Sequence, residues 1–260
     1  MSDRRNRLPK GSEELDMLID KEKCIGCDEC HPYCPVGAIA AVAWEGGSVS
    51  EIDQAACVEC GCCYERSHVC PVDAIYMPKL EWPRCLREYF SNPNVTHPST
   101  TGNGRGTEEM KTNDVTGRFT RGTAGVALEM GRPGVATSFK DLETVAMAIA
   151  RLGVEFEPDN PVAELMADTK TGKFHEAVLN ERVLSAILEI KIPVGKLKEV
   201  LAAVKEVSAK IDTAFSLDLI SRVNPDGSTP VLAIATEAGF IPRPNAKTNV
   251  GLGRPLFEEA

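Results

Sequence analysis

Two stretches of the chain place apolar residues at helical spacing. Phe139, Leu142, Val145, Ala146, Ile149 and Leu152 recur every three or four positions, as do Leu197, Val200, Leu201, Val204 and Val207. Each set lines one face of a helix. Apolar residues gather near Val126 ahead of the first helix, and the short alternation Val154-Glu-Phe156 follows it. Ahead of the second helix Ala186, Leu188, Ile190 and Ile192 alternate with other residues until Pro193-Val-Gly195 breaks the strand; Phe215, Leu217 and Leu219 alternate after it. A period of two is that of a strand with one buried face. The order is therefore β-α-β, twice. Asn224-Pro-Asp-Gly227 signals a turn leading into a further strand, Val231 to Thr236. Two helices on one face of a mixed sheet make a split β-α-β sandwich, and residues 122–260 are expected to form this α+β domain.

Residues 81–121 lack sustained periodicity, and from Ser91 to Gly122 they are rich in Asn, Pro, Thr and Gly. A stretch of that length without its own element is functional or unstructured, and it reads as a linker. Gly102, Gly104 and Gly106 suggest a phosphate-cradling loop, but no strand precedes them and neither G-x-x-x-x-G-K-[ST] nor G-x-G-x-x-G is met. Three readings stay open. The segment is a flexible linker, a nucleotide loop, or a docking strap whose Arg105, Lys111, Arg118 and Arg121 meet carboxylates or phosphates of a partner or flavin.

The chain has 260 residues, 43% of them hydrophobic, enough for one large domain or two small ones. Cysteine placement favours two, because all ten cysteines lie between Cys24 and Cys85 and the last 175 residues hold none. Residues 1–20 form a tail with early arginines and no apolar core of signal-peptide length. No stretch approaches about 18 uninterrupted apolar residues, so no membrane span is expected. The expected location is cytoplasmic, where clustered cysteines bind metal or do redox chemistry more often than they form disulfides. A formal net charge of −9 argues against nucleic acid as a partner. It suits docking onto basic patches of a redox partner protein.

The first cysteine run, Cys24-Ile-Gly-Cys27-Asp-Glu-Cys30-His-Pro-Tyr-Cys34-Pro35, fits C-x2-C-x2-C-x3-C-P throughout. The second is Cys57-Val-Glu-Cys60-Gly-Cys62-Cys63, then six residues, then Cys70-Pro71. The two repeat each other: Pro35-Val-Gly-Ala-Ile39 returns as Pro71-Val-Asp-Ala-Ile75 at an offset of 36, and the opening cysteines are offset by 33. Three thiolates two residues apart wrap a loop around one cubane and turn its amides toward the sulfides. The proline after each fourth cysteine is expected to open a short helix that carries that cysteine to the other loop. Zinc pairs would use longer separations, often with histidine, and would not need the repeated C-P-V-x-A-I tail.

These runs resemble the bacterial two-cluster ferredoxin family over about residues 21–80. The resemblance implies two [4Fe–4S] clusters, one on Cys24, Cys27, Cys30 and Cys70 and the other on Cys57, Cys60, Cys63 and Cys34. The sequence departs from the family pattern in the second run. Cys62 sits beside Cys63, and either fits the third position; the C-x2-C repeat favours Cys63. Tyr64 to Val69 take the place of the family's three residues and predict a bulging loop. Cys85 reads as a buried thiol or as the ligand of a further centre. A four-thiolate cubane exchanges one electron, and adding it to an anionic centre in an acidic protein is unfavourable, so a low potential suited to anaerobic chemistry is expected. Four protein ligands leave no position for substrate, which makes transfer the expected role.

The chain shows no Ser/His/Asp set, no paired catalytic carboxylates and no haem C-x-x-C-H motif, and no catalytic residue is assigned. His175 reads as a surface residue, and His31 and His68 as spacers in the cysteine loops. The Gly104–Glu109 and Lys111–Arg118 stretches, together with the two cysteine runs, are similar to the iron–sulfur part of 6-hydroxynicotinate-reductase-like proteins. That similarity implies a flavin-bearing partner subunit. Two functional classes follow. One is the electron-transfer subunit of a hetero-oligomeric oxidoreductase, docked on a separate catalytic subunit. The other is a reductase in its own right, with flavin or substrate between the linker and the C-terminal domain.

Overall fold

The computed structural model describes residues 17–99 and 113–243. Most of the expected tail, the glycine-rich stretch with Arg105, and Lys111 lie outside those residues. In the N-terminal half four short strands, β1 (Leu18–Ile19), β2 (Ile39–Trp44), β3 (Gly47–Ile52) and β4 (Ile75–Tyr76), form two antiparallel pairs, β1 with β4 and β2 with β3. The β2–β3 turn is Glu45-Gly46, both at positive φ, the conformation that matches strand twist in a two-residue hairpin. Met17, Ile19, Ile39, Ile52, Ile75 and Met77 form a core together with several cysteines.

The short helices expected after Pro35 and Pro71 are single turns instead. Gly37 N donates to Cys34 O and Asp73 N to Cys70 O. Gly37 and Asp73 then take φ of 64° and 50°, which a right-handed helix cannot continue through. A second difference lies in the segment read as a linker, where Cys85–Ser91 is a helix, α1. Leu86 and Phe90, four apart on α1, sit in the C-terminal core, and Phe90 meets Phe139 edge to face at 5.9 Å. Seven residues are too few to display a period in sequence. A further single turn, α2 (Asn113–Thr116), follows.

The C-terminal half runs β5 (Thr123–Met130), β6 (Thr137–Ser138), α3 (Phe139–Ala150), β7 (Glu155–Phe156), β8 (Met166–Asp168), β9 (Lys173–Phe174), β10 (Arg182–Val183), β11 (Ala186–Pro193), α4 (Leu197–Val207), β12 (Phe215–Ser221) and α5 (Pro230–Glu237). Val126, Leu128 and Met130 of β5 and Leu188, Ile190 and Ile192 of β11 share one core with the apolar stripes of α3 and α4. Ser138 starts α3 with a capping box: its Oγ accepts from Asp141 N while Asp141 Oδ2 accepts from Ser138 N.

The main sheet has the order β12-β5-β11-β7, and all three pairings are antiparallel. The mixed sheet expected from the sequence is thereby corrected. Each β-α-β unit returns its strand two places away, and the slot between is filled by a strand of the other unit running the opposite way. The expected strand at Val231 to Thr236 is also corrected, because it is helical in α5. Pro230 fixes φ at the first helical position, and Val231 and Ala235, one turn apart, are the residues that α5 buries. Arg118 of the expected docking strap is committed within this half, donating to Glu155 and Glu157 at 2.7 Å each. Arg121 donates to Val223 O.

His97 is packed edge-on against Tyr89 and Phe90, with ring centres 5.5 and 5.0 Å apart. Burial holds its pKa below the usual 6.5, against the opposing effect of the Glu164 carboxylate. A histidine whose folded pKa is depressed contributes stability that is present above its unfolded value and lost as pH falls through the folded value. Denaturant unfolding should therefore show stability falling below about pH 6.5, and His97→Phe should reduce that fall. An unchanged pH profile in the variant would contradict the assignment.

Candidate functional site

Two loops built on the same local plan carry the cysteines. In the first, the Asp20 side chain accepts from Glu22 N and Lys23 N, and Asp20 O accepts from Cys24 N at 2.9 Å. In the second, the Asp53 side chain accepts from Ala55 N and Ala56 N, and Asp53 O accepts from Cys57 N at 2.9 Å. These two aspartates were missed in the sequence. Their signal is the repeated Ile-Asp-x-x-x-Cys of Ile19 to Cys24 and Ile52 to Cys57, at the same offset of 33 as the cysteines. Beyond the first cysteine, Gly26 and Asp28 stand at φ of 65° and 58°, and their counterparts Glu59 and Gly61 at 54° and 68°. The loops thus curl in the same way. A Cβ on Gly26 would lie 2.2 Å from Ser48 O, so the first loop fits against β3 only with glycine there.

Cys24, Cys27 and Cys30 line one cavity of about 310 Å3, open mouth included, and the cysteine that joins them is Cys70 from the second run. Ile19, Ser50, Val72 and Ile75 are among its walls. Cys57, Cys60 and Cys63 line the other, of about 290 Å3 measured the same way, and Cys34 of the first run completes it, with Met17, Ile39, Ile52 and Val58 as apolar walls. The two fourth cysteines are held alike: Ala38 N donates to Cys34 Sγ at 3.1 Å, and Ala74 N to Cys70 Sγ at 3.2 Å. Ser50 N donates to Cys24 Sγ at 3.4 Å.

The cavities differ in exposure. Cys27 is exposed and Ile25 on the rim is 63% exposed, whereas Cys57, Cys60 and Cys63 are 7%, 8% and 7% exposed. Burial pushes the Cys57 and Cys60 thiols up to about 12 and moves Cys63 in the same direction. Cys30 is also raised by burial. Without a neighbouring cation such thiols stay protonated; bound metal is what stabilises a buried thiolate.

Cys62 is half-buried and stands outside both cavity linings, with Arg66 Nη1 at 3.8 Å from its sulfur. It begins a wide helical turn, Cys62–Arg66, in which Arg66 N donates to Gly61 O; the inserted residues are coiled where a loop was expected to bulge. Cys85 is partly buried at the start of α1, its thiol raised by burial. His31 Nε2 lies 3.0 Å from Ser50 Oγ, and His175 is exposed.

Comparison with known proteins gives a family for the cysteine-bearing part of the chain. Residues 17–77 match the family described as 4Fe-4S dicluster domain. Ferredoxin-2 of Chlorobaculum tepidum is 40% identical over 57 residues, which are 21% of this chain and 86% of the relative. Pyruvate synthase subunit PorD of Methanothermobacter marburgensis is 43% identical over 62 residues, 24% of this chain and 64% of the relative. A subunit of the ion-translocating oxidoreductase complex of Methanosarcina acetivorans is 42% identical over 52 residues, 20% of this chain and 17% of the relative. The chain thus spans less than two thirds of either of these two complex subunits. Among the described residues no helix is long and apolar enough to cross a membrane. Through residues 17–77, and through a ferredoxin of which it covers nearly the whole length, the chain belongs to the 4Fe–4S dicluster ferredoxins, iron–sulfur proteins of electron transfer.

Proposed function

We propose that the chain carries single electrons through two [4Fe–4S] clusters as the iron–sulfur subunit of a multi-subunit oxidoreductase. The observation behind this reading is the exchange of fourth cysteines, Cys70 lining the cavity of the first run and Cys34 that of the second. Among the described residues no three His, Cys, Asp or Glu side chains converge to hold one metal ion. Four sulfurs spread around a cavity suit a polyatomic cluster held at its corners better than a zinc ion held at its centre. Cys24, Cys27, Cys30 and Cys70 would hold the first cluster, and Cys57, Cys60, Cys63 and Cys34 the second.

When bound, such a cubane supplies reversible one-electron exchange. The chain's own part is to fix four sulfurs per cavity, to aim the Ser50, Ala38 and Ala74 amides at the Cys24, Cys34 and Cys70 sulfurs, and to exclude water with Met17, Ile39, Ile52 and Val58. Apolar walls and a chain charge of −9 both favour a low potential. Assembly with a catalytic subunit is supported by two relatives that are themselves subunits, one of pyruvate synthase and one of an ion-translocating oxidoreductase complex. A flavin on that catalytic subunit rests on the resemblance carried by Gly104 to Arg118. We also read the C-terminal half as the split β-α-β plan, supported by its order β5-α3-β7-β11-α4-β12 and its strand order. Reduced cysteine chemistry supports a cytoplasmic location.

Anaerobically prepared protein should contain about eight irons per chain; a soluble preparation holding zinc and no iron would overturn the reading. Cys63→Ser should lose about half of that iron, while Cys62→Ser should stay near wild type. The reverse pattern would move the third ligand of the second loop to Cys62.

Crossing of the fourth ligands has its own test by Mössbauer spectroscopy. The spectrum of Cys34→Ala should match that of Cys60→Ser, and the spectrum of Cys70→Ala should match that of Cys27→Ser. A Cys34→Ala spectrum that matches Cys27→Ser would mean each run closes its own cluster.

A further inference from the structure

Helix α1 has two buried sides. Leu86 and Phe90 belong to the C-terminal core, and the Ser91 hydroxyl accepts from Leu184 N at 2.7 Å. Arg84 and Arg87, one turn apart, reach the other way into the second cysteine loop. Arg84 donates to Glu59 and, through Nη1, to Gln54 O at 2.8 Å. Arg87 joins both halves of the protein: its Nε donates to Glu181 Oε2 at 2.5 Å, while its Nη1 donates to Cys57 O at 2.6 Å, Gln54 O at 2.9 Å and Ala55 O at 3.4 Å. Arg87 and Glu181 are both buried. Among the described residues no arginine bonds the matching Lys21 to Cys24 carbonyls of the first loop.

We propose that Arg87 is a positioning residue for the second cluster, clamping the Gln54 to Cys57 backbone onto Glu181 so that the C-terminal half sets the potential of that cluster alone. The proposal rests on the cluster reading given above. A trans peptide is planar, so pinning the Cys57 carbonyl toward Arg87 turns the Val58 N–H to the opposite side. Amide direction and nearby charge are two of the levers on a cluster's potential. The clamp acts on the second loop, and its effect adds to the difference in exposure between the two cavities.

The two charges predict shifts of opposite sign. Reduction adds negative charge, so removing the cation in Arg87→Gln lowers the second cluster's potential, and removing the anion in Glu181→Gln raises it. Arg87→Lys keeps the charge but cannot span Glu181 and three carbonyls at once. It should hold the potential near wild type while iron is lost to a chelator several-fold faster.

The experiment is an anaerobic redox titration of the full-length protein followed by EPR. One of two potentials should move, downward in Arg87→Gln and upward in Glu181→Gln, with the other unmoved. Equal movement of both potentials, no movement of either, or a shift of the same sign in both variants overturns the proposal. If Arg87→Gln is insoluble, Glu181→Gln alone decides, and an unchanged potential there overturns it. A wild-type protein without two [4Fe–4S] signals overturns the cluster reading first, before any variant is compared.

Discussion

Three cysteines spaced two residues apart curl around one side of a cavity and leave the opposite wall open. Each loop in this protein is closed by the cysteine that ends the other run, Cys70 for the first and Cys34 for the second. Neither loop can therefore be complete without its neighbour. The rest of the N-terminal half serves that dependence. Pairing of β1 with β4 brings the beginning and end of the module together. The left-handed residues at Gly26, Asp28, Glu59 and Gly61 curl each loop tightly enough to present its sulfurs inward.

The C-terminal half is joined to this device through Arg87, which bonds Glu181 on one side and the Gln54 and Cys57 carbonyls on the other. Arg87 and Glu181 are buried together, and desolvating such a pair is costly enough that the contact is weak evidence for extra stability. The pair holds because the guanidinium keeps donors for the loop carbonyls after its bond to the carboxylate. What it provides is registry between two halves whose apolar cores, among the described residues, are separate apart from a small seam where Val58 and Cys60 pack with Ala136.

Legibility followed the range of the signal. The helices α3 and α4 and the strands β11 and β12 each carry a period of their own, and their positions could be read directly, while β5 showed only as an apolar stretch near Val126. The cysteine runs were equally plain, since spacing and repetition are local. Where a single backbone angle decides, the reading failed: Gly37 and Asp73 turn left-handed and end the expected helices after Pro35 and Pro71. At Val231 to Thr236 the preceding turn at Asn224 to Gly227 pointed to a strand, but Pro230 and the burial of Val231 and Ala235 one turn apart favour a helix. The role of Arg87 could not be read at all, because its partners lie 30 residues before it and 94 after it.

Glu59 occupies in the second loop the left-handed place that Gly26 holds in the first. The first place is closed to any side chain by Ser48 O, while the second admits one. A non-glycine residue there costs roughly 1–2 kcal/mol, and its bond to the Arg84 guanidinium at 2.9 Å is of the kind that contributes about 1.5–3 kcal/mol. A duplicated unit can diverge only where its geometry leaves room. One copy of the loop is thereby closed to any side chain at this place, and the other uses the room to bond the residue that precedes α1.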